Sequence, residues 1–173
     1  MKQIAQFSKV SFEEYATSML KINNEMPLEL IKVLYDEIKL PTRSTKGSAG
    51  YDFFLPDAIK FTKDQTYIIP TGIRCKIEEG WMLMIVPRSG LGFKYRIGLD
   101  NTVGIIDSDY YNSDNEGHIF IKLTCDAKTN VDFVIKRNQA FAQGIFIEYG
   151  ITIDDDVKNE RNGGFGSTDN KKN

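Results

Sequence analysis

An amphipathic pattern marks the start of the chain. Apolar residues recur at the three- and four-residue spacing of a helix face at Phe12, Tyr15, Ala16, Met19 and Leu20. Ser11 and Glu14 stand in the S-x-x-E arrangement of a capping box, which is typical of a helix N-terminus. Pro27 then bars easy continuation of a helix. The pattern predicts a short helix over residues 12–23, inside an N-terminal extension of residues 1–30.

From Leu28 onward the pattern changes to short apolar runs separated by turn residues, as in an all-β sandwich or barrel. The candidate strands are residues 32–38, 51–55, 67–70, 73–77, 82–87, 119–125, 133–135 and 141–149. Turns are expected at residues 56–57, 71–72, 79–80 and 112–117. The runs lack intervening helical patterns, so a doubly wound α/β fold is disfavoured. We therefore expect one all-β domain over residues 31–153.

The last segment, residues 154–173, is polar and charged and predicts a flexible C-terminal arm. Its glycines surround a single aromatic residue, Phe165. A flexible arm has no internal use for such a ring. Phe165 therefore either tucks onto its own core or covers a ligand.

Length and charge disfavour several classes of protein. The chain has 173 residues, enough for one domain with a sizeable core. Its formal net charge of -2 lacks the basic excess of a general nucleic-acid binder. No run approaches the ~20 apolar residues that cross a bilayer, and the N-terminus lacks the apolar region of a secretory signal. We therefore expect a cytoplasmic protein that binds neither nucleic acid nor membrane.

The cysteines indicate a reducing compartment. Cys75 and Cys125 lack the CxxC spacing, and one disulfide between them is conceivable on paper. Two buried free thiols are the preferred interpretation. With His118 as the one histidine, a zinc site has few ligands to build from.

Two segments carry groups suited to phosphate. After the predicted strand 82–87, Arg88 supplies a planar guanidinium that matches phosphate oxygens, and Ser89 supplies a hydroxyl. Gly90 lets the backbone approach a ligand closely. The glycine-rich stretch 161–168 could wrap a polyphosphate, although it is not a P-loop, because GxxxxGK[ST] is absent. Taken alone, the Arg88 segment is equally typical of a strand end with a solvated arginine.

Residues 101–110 combine a tight turn with two carboxylates. Gly104 stands between apolar residues, where a hairpin would present free backbone N–H and C=O groups to a flat polar ring. Asp107 and Asp109 alternate, and on a strand they would share one face. This arrangement suits a general base or a metal site. A polar turn with two solvated aspartates fits the same pattern.

In their order along the chain, these segments resemble the five motifs of the trimeric dUTP diphosphatase (dUTPase) family. The matching stretches are Ala49-Gly-Tyr-Asp52, Pro87-Arg-Ser-Gly-Leu91, residues 101–110, Ala142-Gln143 and Gly163-Gly-Phe-Gly-Ser-Thr168. The resemblance covers roughly residues 33–170. It implies a jelly-roll-like β subunit, a homotrimer with active sites at subunit interfaces, and a C-terminal arm that closes over the site.

By this resemblance the chain hydrolyses dUTP to dUMP and pyrophosphate, and Asp107 activates the water that attacks the α-phosphorus. The residues implied in binding base and sugar are Asn101, Gly104, Ile105, Ile106, Tyr110 and Phe165. The residues implied in binding the phosphates are Arg88, Ser89, Gly90, Gln143, Arg161, Ser167 and Thr168. Asp52 is implied to hold Mg²⁺ through water. Tyr110 would exclude a ribose 2′-OH, for which the chain must leave strand geometry there.

The fourth motif departs from the family pattern. Asn138 replaces a glycine, which is feasible because asparagine tolerates the left-handed backbone region. Ala140 replaces an arginine and removes its charge. Arg137 or Lys136 is a candidate to rebuild the lost contacts.

Further departures flank the site. After Tyr110 comes a longer polar loop, residues 111–117, and His118 behind it is expected at the surface. Arg161 lies nearer the glycine pair than is common in the family, so its reach to the γ-phosphate stays open. The N-terminal extension has no counterpart in the minimal family, and a protein partner for it is left open.

Two alternative functions stay open at this point. A dCTP deaminase-related enzyme shares the fold, but the intact Ile-Asp-Ser-Asp-Tyr at residues 106–110 argues against it. A non-catalytic regulator acting through a protein partner is conceivable, because the fourth motif is altered. Such a regulator would not need Asp107, Arg88 and Phe165 together.

Overall fold

Antiparallel strands dominate the computed structural model, which describes residues 2–126, 132–159 and 161. The elements in chain order are β1 (Ala5–Lys9), α1 (Phe12–Ile22), α2 (Leu28–Asp36), β2 (Thr42–Arg43), β3 (Tyr51–Phe54), β4 (Ile59–Phe61), β5 (Thr66–Pro70), β6 (Ile73–Ile77), β7 (Trp81–Pro87), α3 (Ser89–Tyr95), β8 (Ile97–Leu99), β9 (Gly104–Ile106), a 3₁₀ turn (Ser108–Asn112), β10 (Phe120–Cys125), β11 (Phe133–Ile135) and β12 (Ala140–Glu148). The predicted all-β class is confirmed.

The strands form two larger sheets and two pairs. One sheet has the order β2-β3-β12-β7-β9 and the other the order β5-β10-β8. The pairs are β1-β6 and β11-β4. β12 lies between β3 and β7, so residues from three distant parts of the sequence meet around it.

The inner faces of the larger sheets share one hydrophobic core. Leu83 and Ile85 of β7 are buried at alternate positions, as on a half-buried strand. Ile121 and Leu123 of β10 belong to the same cluster. Cys75 and Cys125 are buried free thiols, as the sequence predicted.

The N-terminal helix is confirmed. α1 begins at Phe12, and the Ser11 side chain accepts a hydrogen bond from the Glu14 N–H at 3.1 Å. β1 was not predicted; it pairs antiparallel with β6, with Ala5 opposite Ile77. The N-terminal segment is therefore joined to the β structure by backbone hydrogen bonds as well as by α1.

The strand predicted at residues 32–38 is wrong, because α2 occupies Leu28–Asp36. Its buried residues, Ile31 and Leu34, have helical spacing, but exposed apolar residues around them hid the period. Pro27 precedes the first turn of α2, where its missing N–H costs no intrahelical hydrogen bond. α2 spans residues 30 and 31, and the division of the chain at that point stays a prediction.

The other candidate strands are confirmed to within one residue at each end. The missed elements are β1, β2, β4, β8, β9 and α3. The missed strands other than β1 are too short for an alternation to show, and Gly90 and Gly92 disfavour a helix at α3. Within the described ranges, no helix is long and apolar enough to cross a membrane.

Candidate functional site

A buried carboxylate organises one part of the site. Asp52 of β3 is only 5 % exposed. One of its oxygens accepts a hydrogen bond from Gln143 Nε2 at 3.0 Å, and the other accepts from Ser44 Oγ at 2.8 Å. Arg88 Nε lies 3.6 Å from Asp52 Oδ1 and balances its charge. These four residues form the Asp52 cluster.

The sheet order explains why the Asp52 cluster forms. Gln143 of β12 is opposite Asp52 of β3 on one side and opposite Val86 of β7 on the other. Arg88 stands just beyond the end of β7, so its side chain reaches the same place. Gly50 is required there, because a Cβ atom would lie 3.2 Å from Gln143 Oε1. The sequence did not single out Ser44, because a lone hydroxyl in the polar run before β3 carries no distinctive spacing.

The Arg88-Ser89-Gly90 segment opens a short helix. Arg88 is the N-cap residue of α3, and Ser89 and Gly90 lie in its first turn. A Cβ atom at Gly90 would have open space within 4 Å. The backbone at Gly90 can therefore be approached closely from solvent.

The predicted base-reading residues lie together at an apolar cavity. The connection between β8 and β9 is a tight turn, in which Thr102 has the left-handed φ of 65°. Asn101 and the strand Gly104–Ile106 line a cavity of about 470 Å³. Gly104 packs against β7, because a Cβ atom there would lie 3.2 Å from Ile85 Cβ.

Asp107 follows this cavity wall directly. It is the N-cap residue of the 3₁₀ turn, and its side chain is 44 % exposed. Arg161 donates to Asp107 Oδ2 at 2.9 Å, and its Nε lies 3.2 Å from Asp109 Oδ1. The expectation that the two carboxylates share a strand face is wrong, since Asp109 lies in the 3₁₀ turn. They meet instead on one guanidinium, which neutralises both.

Tyr110 leaves strand geometry, as expected, because it lies within the 3₁₀ turn. It is buried, and its hydroxyl donates to the His118 carbonyl at 2.8 Å and accepts from Asn115 Nδ2 at 2.9 Å. Burial raises the pKa of Tyr110. The guanidinium carbon of Arg161 lies 5.5 Å from the centre of its ring. The ring is thus held next to Asp107 by contacts on its far side.

His118 is not at the surface. Its side chain is fully buried, and Nε2 accepts a hydrogen bond from the Gly72 N–H at 2.8 Å. Nδ1 lies 3.1 Å from Glu14 Oε1 of α1. The surface expectation failed because the partners of this imidazole, α1 and the turn at residues 71–72, are distant in sequence.

The altered fourth motif is partly explained. Asn138 adopts a left-handed φ of 64°, the conformation that the replaced glycine would supply. Ala140 lies at a register shift between β12 and β3. Arg137 pairs with Glu37 Oε2 at 3.0 Å, at the end of α2. In this chain Arg137 is therefore committed to α2.

Some implied residues fall elsewhere. Phe165, Ser167 and Thr168 lie outside the described residues. Among the residues that are described, no group of three or more His, Cys, Asp or Glu side chains is gathered for a metal ion.

The fold and these clusters define a class of jelly-roll-like β proteins that present a carboxylate–arginine pair and a hairpin-lined cavity. The sequence model of the dUTPase family matches residues 36–169. A deoxyuridine 5′-triphosphate nucleotidohydrolase of Lactococcus lactis subsp. lactis is 39% identical over 134 residues, covering 76% of this chain and 88% of that protein. The chain therefore belongs to the dUTPase family.

Solved structures agree with this assignment. The crystal structure of the dUTPase from Streptococcus mutans has a TM-score of 0.61 and 26% sequence identity, covering 84% of this chain and 97% of that one. A mutant dUTPase from phage phi11 of S. aureus, described as coordinating a structural Mg(II) ion, has a TM-score of 0.60 and covers 91% of this chain and 98% of that one. At 16% identity the second likeness concerns the fold alone.

Proposed function

We propose that this chain hydrolyses dUTP to dUMP and pyrophosphate, with Asp107 as the general base. The observation that carries the proposal is the position of Asp107. Its exposed carboxylate follows directly on the strand that lines the hairpin cavity, beside the buried ring of Tyr110. A carboxylate there can hold a water and remove its proton as the water attacks the α-phosphorus. No covalent intermediate is required.

The hairpin is suited to reading uracil. Uracil N3 is a donor and O4 an acceptor, and cytosine reverses both. Asn101 and the backbone of residues 104–106 offer fixed donors and acceptors against an apolar wall. A site matched to uracil leaves buried groups unpaired when cytosine binds, which discriminates strongly. Lack of room at C5 would exclude thymine.

Tyr110 is suited to excluding ribose. Its hydroxyl is already bound by His118 and Asn115 inside the protein, so the ring is a fixed wall and not an adjustable donor. A deoxyribose can pack on such a wall. A 2′-OH placed against it would lose its water and find no partner.

The phosphates would be bound by residues from two parts of the chain. Arg88, Ser89, the Gly90 N–H and Gln143 lie in or beside the Asp52 cluster. Phe165 over the base, and Ser167 and Thr168 on the phosphates, stay predictions. Arg161 would have to leave Asp107 and Asp109 to reach the γ-phosphate, and this exchange would free Asp107 to act as a base.

Asp52 suits an indirect role toward Mg²⁺. Both of its oxygens already accept hydrogen bonds from protein side chains, and Arg88 lies beside one of them. Each oxygen keeps a further lone pair, which can accept from a metal-bound water. Bound Mg²⁺ would neutralise charge on the phosphate chain.

A second copy of the chain is needed to complete the site. β7 and β9 pair with Leu83 opposite Ile106, so Asp107 lies beside Met82 at the start of β7. Arg88 follows Met82 by six residues, which is about 20 Å at roughly 3.3 Å per strand residue. One triphosphate cannot contact both ends, so we propose that Arg88 of one subunit serves Asp107 of another, in a homotrimer.

The exposed apolar surface around the cavity supports this assembly. Ile68 is 49% exposed and Ile105 is 46% exposed, and both line the cavity mouth. Apolar side chains clustered in this way are typical of an interface between chains.

The test is pyrophosphate release from dUTP, dCTP, dTTP and UTP with Mg²⁺. We expect turnover of dUTP alone. Asp107→Asn should lower kcat by about 10²–10⁴-fold, the usual contribution of a general base. Asp109→Asn is the matched control, because it changes the neighbouring carboxylate on the same guanidinium and should retain most of the activity. Equal losses in the two variants would remove Asp107 from its role, and ammonia from dCTP would indicate a deaminase.

The lid function of the arm is tested separately. Truncation after Arg161 removes Phe165, Ser167 and Thr168 while keeping the arginine. We expect a large fall in kcat/KM for dUTP. An unchanged rate would show that the arm does not close the site.

A further inference from the structure

A network of polar contacts joins α1 to the segment that follows Tyr110. It lies behind the site, and none of the proposed steps uses it. The network contains the 111–117 loop and the chain's single histidine, two features that the family motifs leave unexplained.

Glu116 ties the 111–117 loop to the start of α1. Its backbone is left-handed, with φ of 58°, and its carboxylate lies against Ser11. The Ser11 N–H donates to Oε2 at 2.8 Å, and the Ser11 hydroxyl donates to Oε1 at 2.6 Å. The carboxylate thus binds the N-cap residue of α1, where negative charge is stabilised by the helix dipole.

Arg74 of β6 holds the same loop from the other side. Its Nη2 donates to the Tyr111 carbonyl at 2.6 Å, and its guanidinium lies 3.7 Å over the Tyr111 ring. Arg74 Nη1 also lies 3.8 Å from Glu116 Oε2. The backbone immediately after Tyr110 is therefore fixed between β6 and α1.

His118 completes the network, and its tautomer follows from its partners. The Gly72 N–H can only donate, so Nε2 must accept and the ring proton must sit on Nδ1. Nδ1 then donates to Glu14 Oε1 at 3.1 Å, an oxygen that also accepts from Ser18 Oγ at 2.9 Å. The imidazole is a bridge between α1 and the turn at Gly72, whose φ is 69°.

This bridge fixes the atom that holds Tyr110. The Tyr110 hydroxyl donates to the backbone carbonyl of His118, at 2.8 Å. The ring of Tyr110 lies on the other side, 5.5 Å from the Arg161 guanidinium that binds Asp107. A shift of His118 would therefore move the ring relative to the catalytic carboxylate.

We propose that Glu14 of α1 and His118 are positioning residues for sugar discrimination, acting through the buried hydroxyl of Tyr110. The inference rests on the proposed role of Tyr110 as the wall against a 2′-OH. It gives the N-terminal helix a place in the enzyme's specificity without contact with the substrate.

The experiment measures kcat/KM for dUTP and for UTP, and compares their ratio between variants. Glu14→Ala removes the acceptor for His118 Nδ1–H, whereas Glu14→Gln keeps a side-chain carbonyl there. Glu13→Ala is the matched control, because Glu13 is exposed in the same turn of α1. Thermal melting of each variant shows that it is folded at the assay temperature.

We expect E14A to narrow the preference for dUTP over UTP by about tenfold to a hundredfold, the cost of a misplacement near 1 Å. E14Q and E13A should keep the wild-type ratio. A general loss of stability would lower both rates together and leave the ratio unchanged, so the ratio separates positioning from folding.

A second variant guards against misfolding. Glu116→Gly removes both contacts to Ser11, and glycine accepts the left-handed φ of 58° without strain. If E14A melts below the assay temperature, E116G should still narrow the preference. A folded E14A or E116G with the wild-type ratio overturns the inference. A wild-type enzyme that hydrolyses dUTP and UTP equally overturns the role of Tyr110, and the inference with it.

Discussion

Mild acid should destabilise this protein through a single imidazole. His118 is the chain's one histidine and is fully buried. Burial lowers its pKa below the ordinary 6.5, and the hydrogen bond and charge of Glu14 offset this only in part. The unfolded chain therefore binds a proton near pH 6.5 that the folded chain does not. Stability is complete above that pH and is lost as the pH falls toward the lowered pKa.

The size of the effect is set by one proton. A difference of one bound proton gives a slope of about 1.4 kcal/mol per pH unit. Carboxylates do not interfere at first, since Glu116 and Asp100 have pKa values lowered from 4.5 and 3.8 and lose their stabilisation only at more acid pH. Between about pH 5 and pH 6.5 the slope belongs to His118 alone.

The assay is urea unfolding at several pH values and one fixed protein concentration, because assembly would otherwise change the apparent stability. His118→Gln is the reference, since its amide does not titrate and its carbonyl can still accept from the Gly72 N–H. We expect a falling free energy of unfolding in the wild type and a flat one in H118Q over this range. Parallel curves would show that His118 does not stay neutral in the fold, and would refute the assigned tautomer.

Three further outcomes are expected. Gly144→Ala should cost about 1–3 kcal/mol in urea unfolding through overpacking, because its Cβ would lie 2.8 Å and 2.9 Å from two core side chains; Gly150→Ala, which has open space, should cost far less, and equal costs would contradict the packing. Cys75 and Cys125 should react with a thiol reagent only on unfolding, since both are buried and burial raises the pKa of Cys75 to about 12; labelling of the native protein would contradict this. Asp52→Asn should raise the Mg²⁺ concentration that gives half-maximal rate, and an unchanged Mg²⁺ dependence would exclude Asp52 from the metal's surroundings.

Most of the β framework was predictable because burial on one face imposes a period of two. β7 and β12 are long enough for that alternation to show, and α1 carries a cap and a clear helical stripe. α2 was misread, because exposed apolar residues blurred the spacing of Ile31 and Leu34. Short elements such as β9 follow from pairing with a neighbour, and pairing is not written in any local window.

The site was predictable to a different extent. Order and spacing of motifs located Asp107, Arg88 and Asn101, because each needs a particular side chain or backbone at a fixed place. The structure brings Asp52, Arg88 and Gln143 together, but their contacts depend on β12 lying between β3 and β7. The burial of His118 could not be read from its polar neighbours, since its partners come from residues about fifty and one hundred positions away.

The pairing of β1 with β6 has a practical consequence for anyone who trims the chain to the family-matched region, residues 36–169. Such a shortened protein loses the strand that covers β6 and uncovers a row of backbone N–H and C=O groups along Ile73–Ile77. Unprotected strand edges of this kind pair with other molecules and promote aggregation. The leading segment of this enzyme is therefore also its guard against self-association, and purification or tagging schemes should leave it in place.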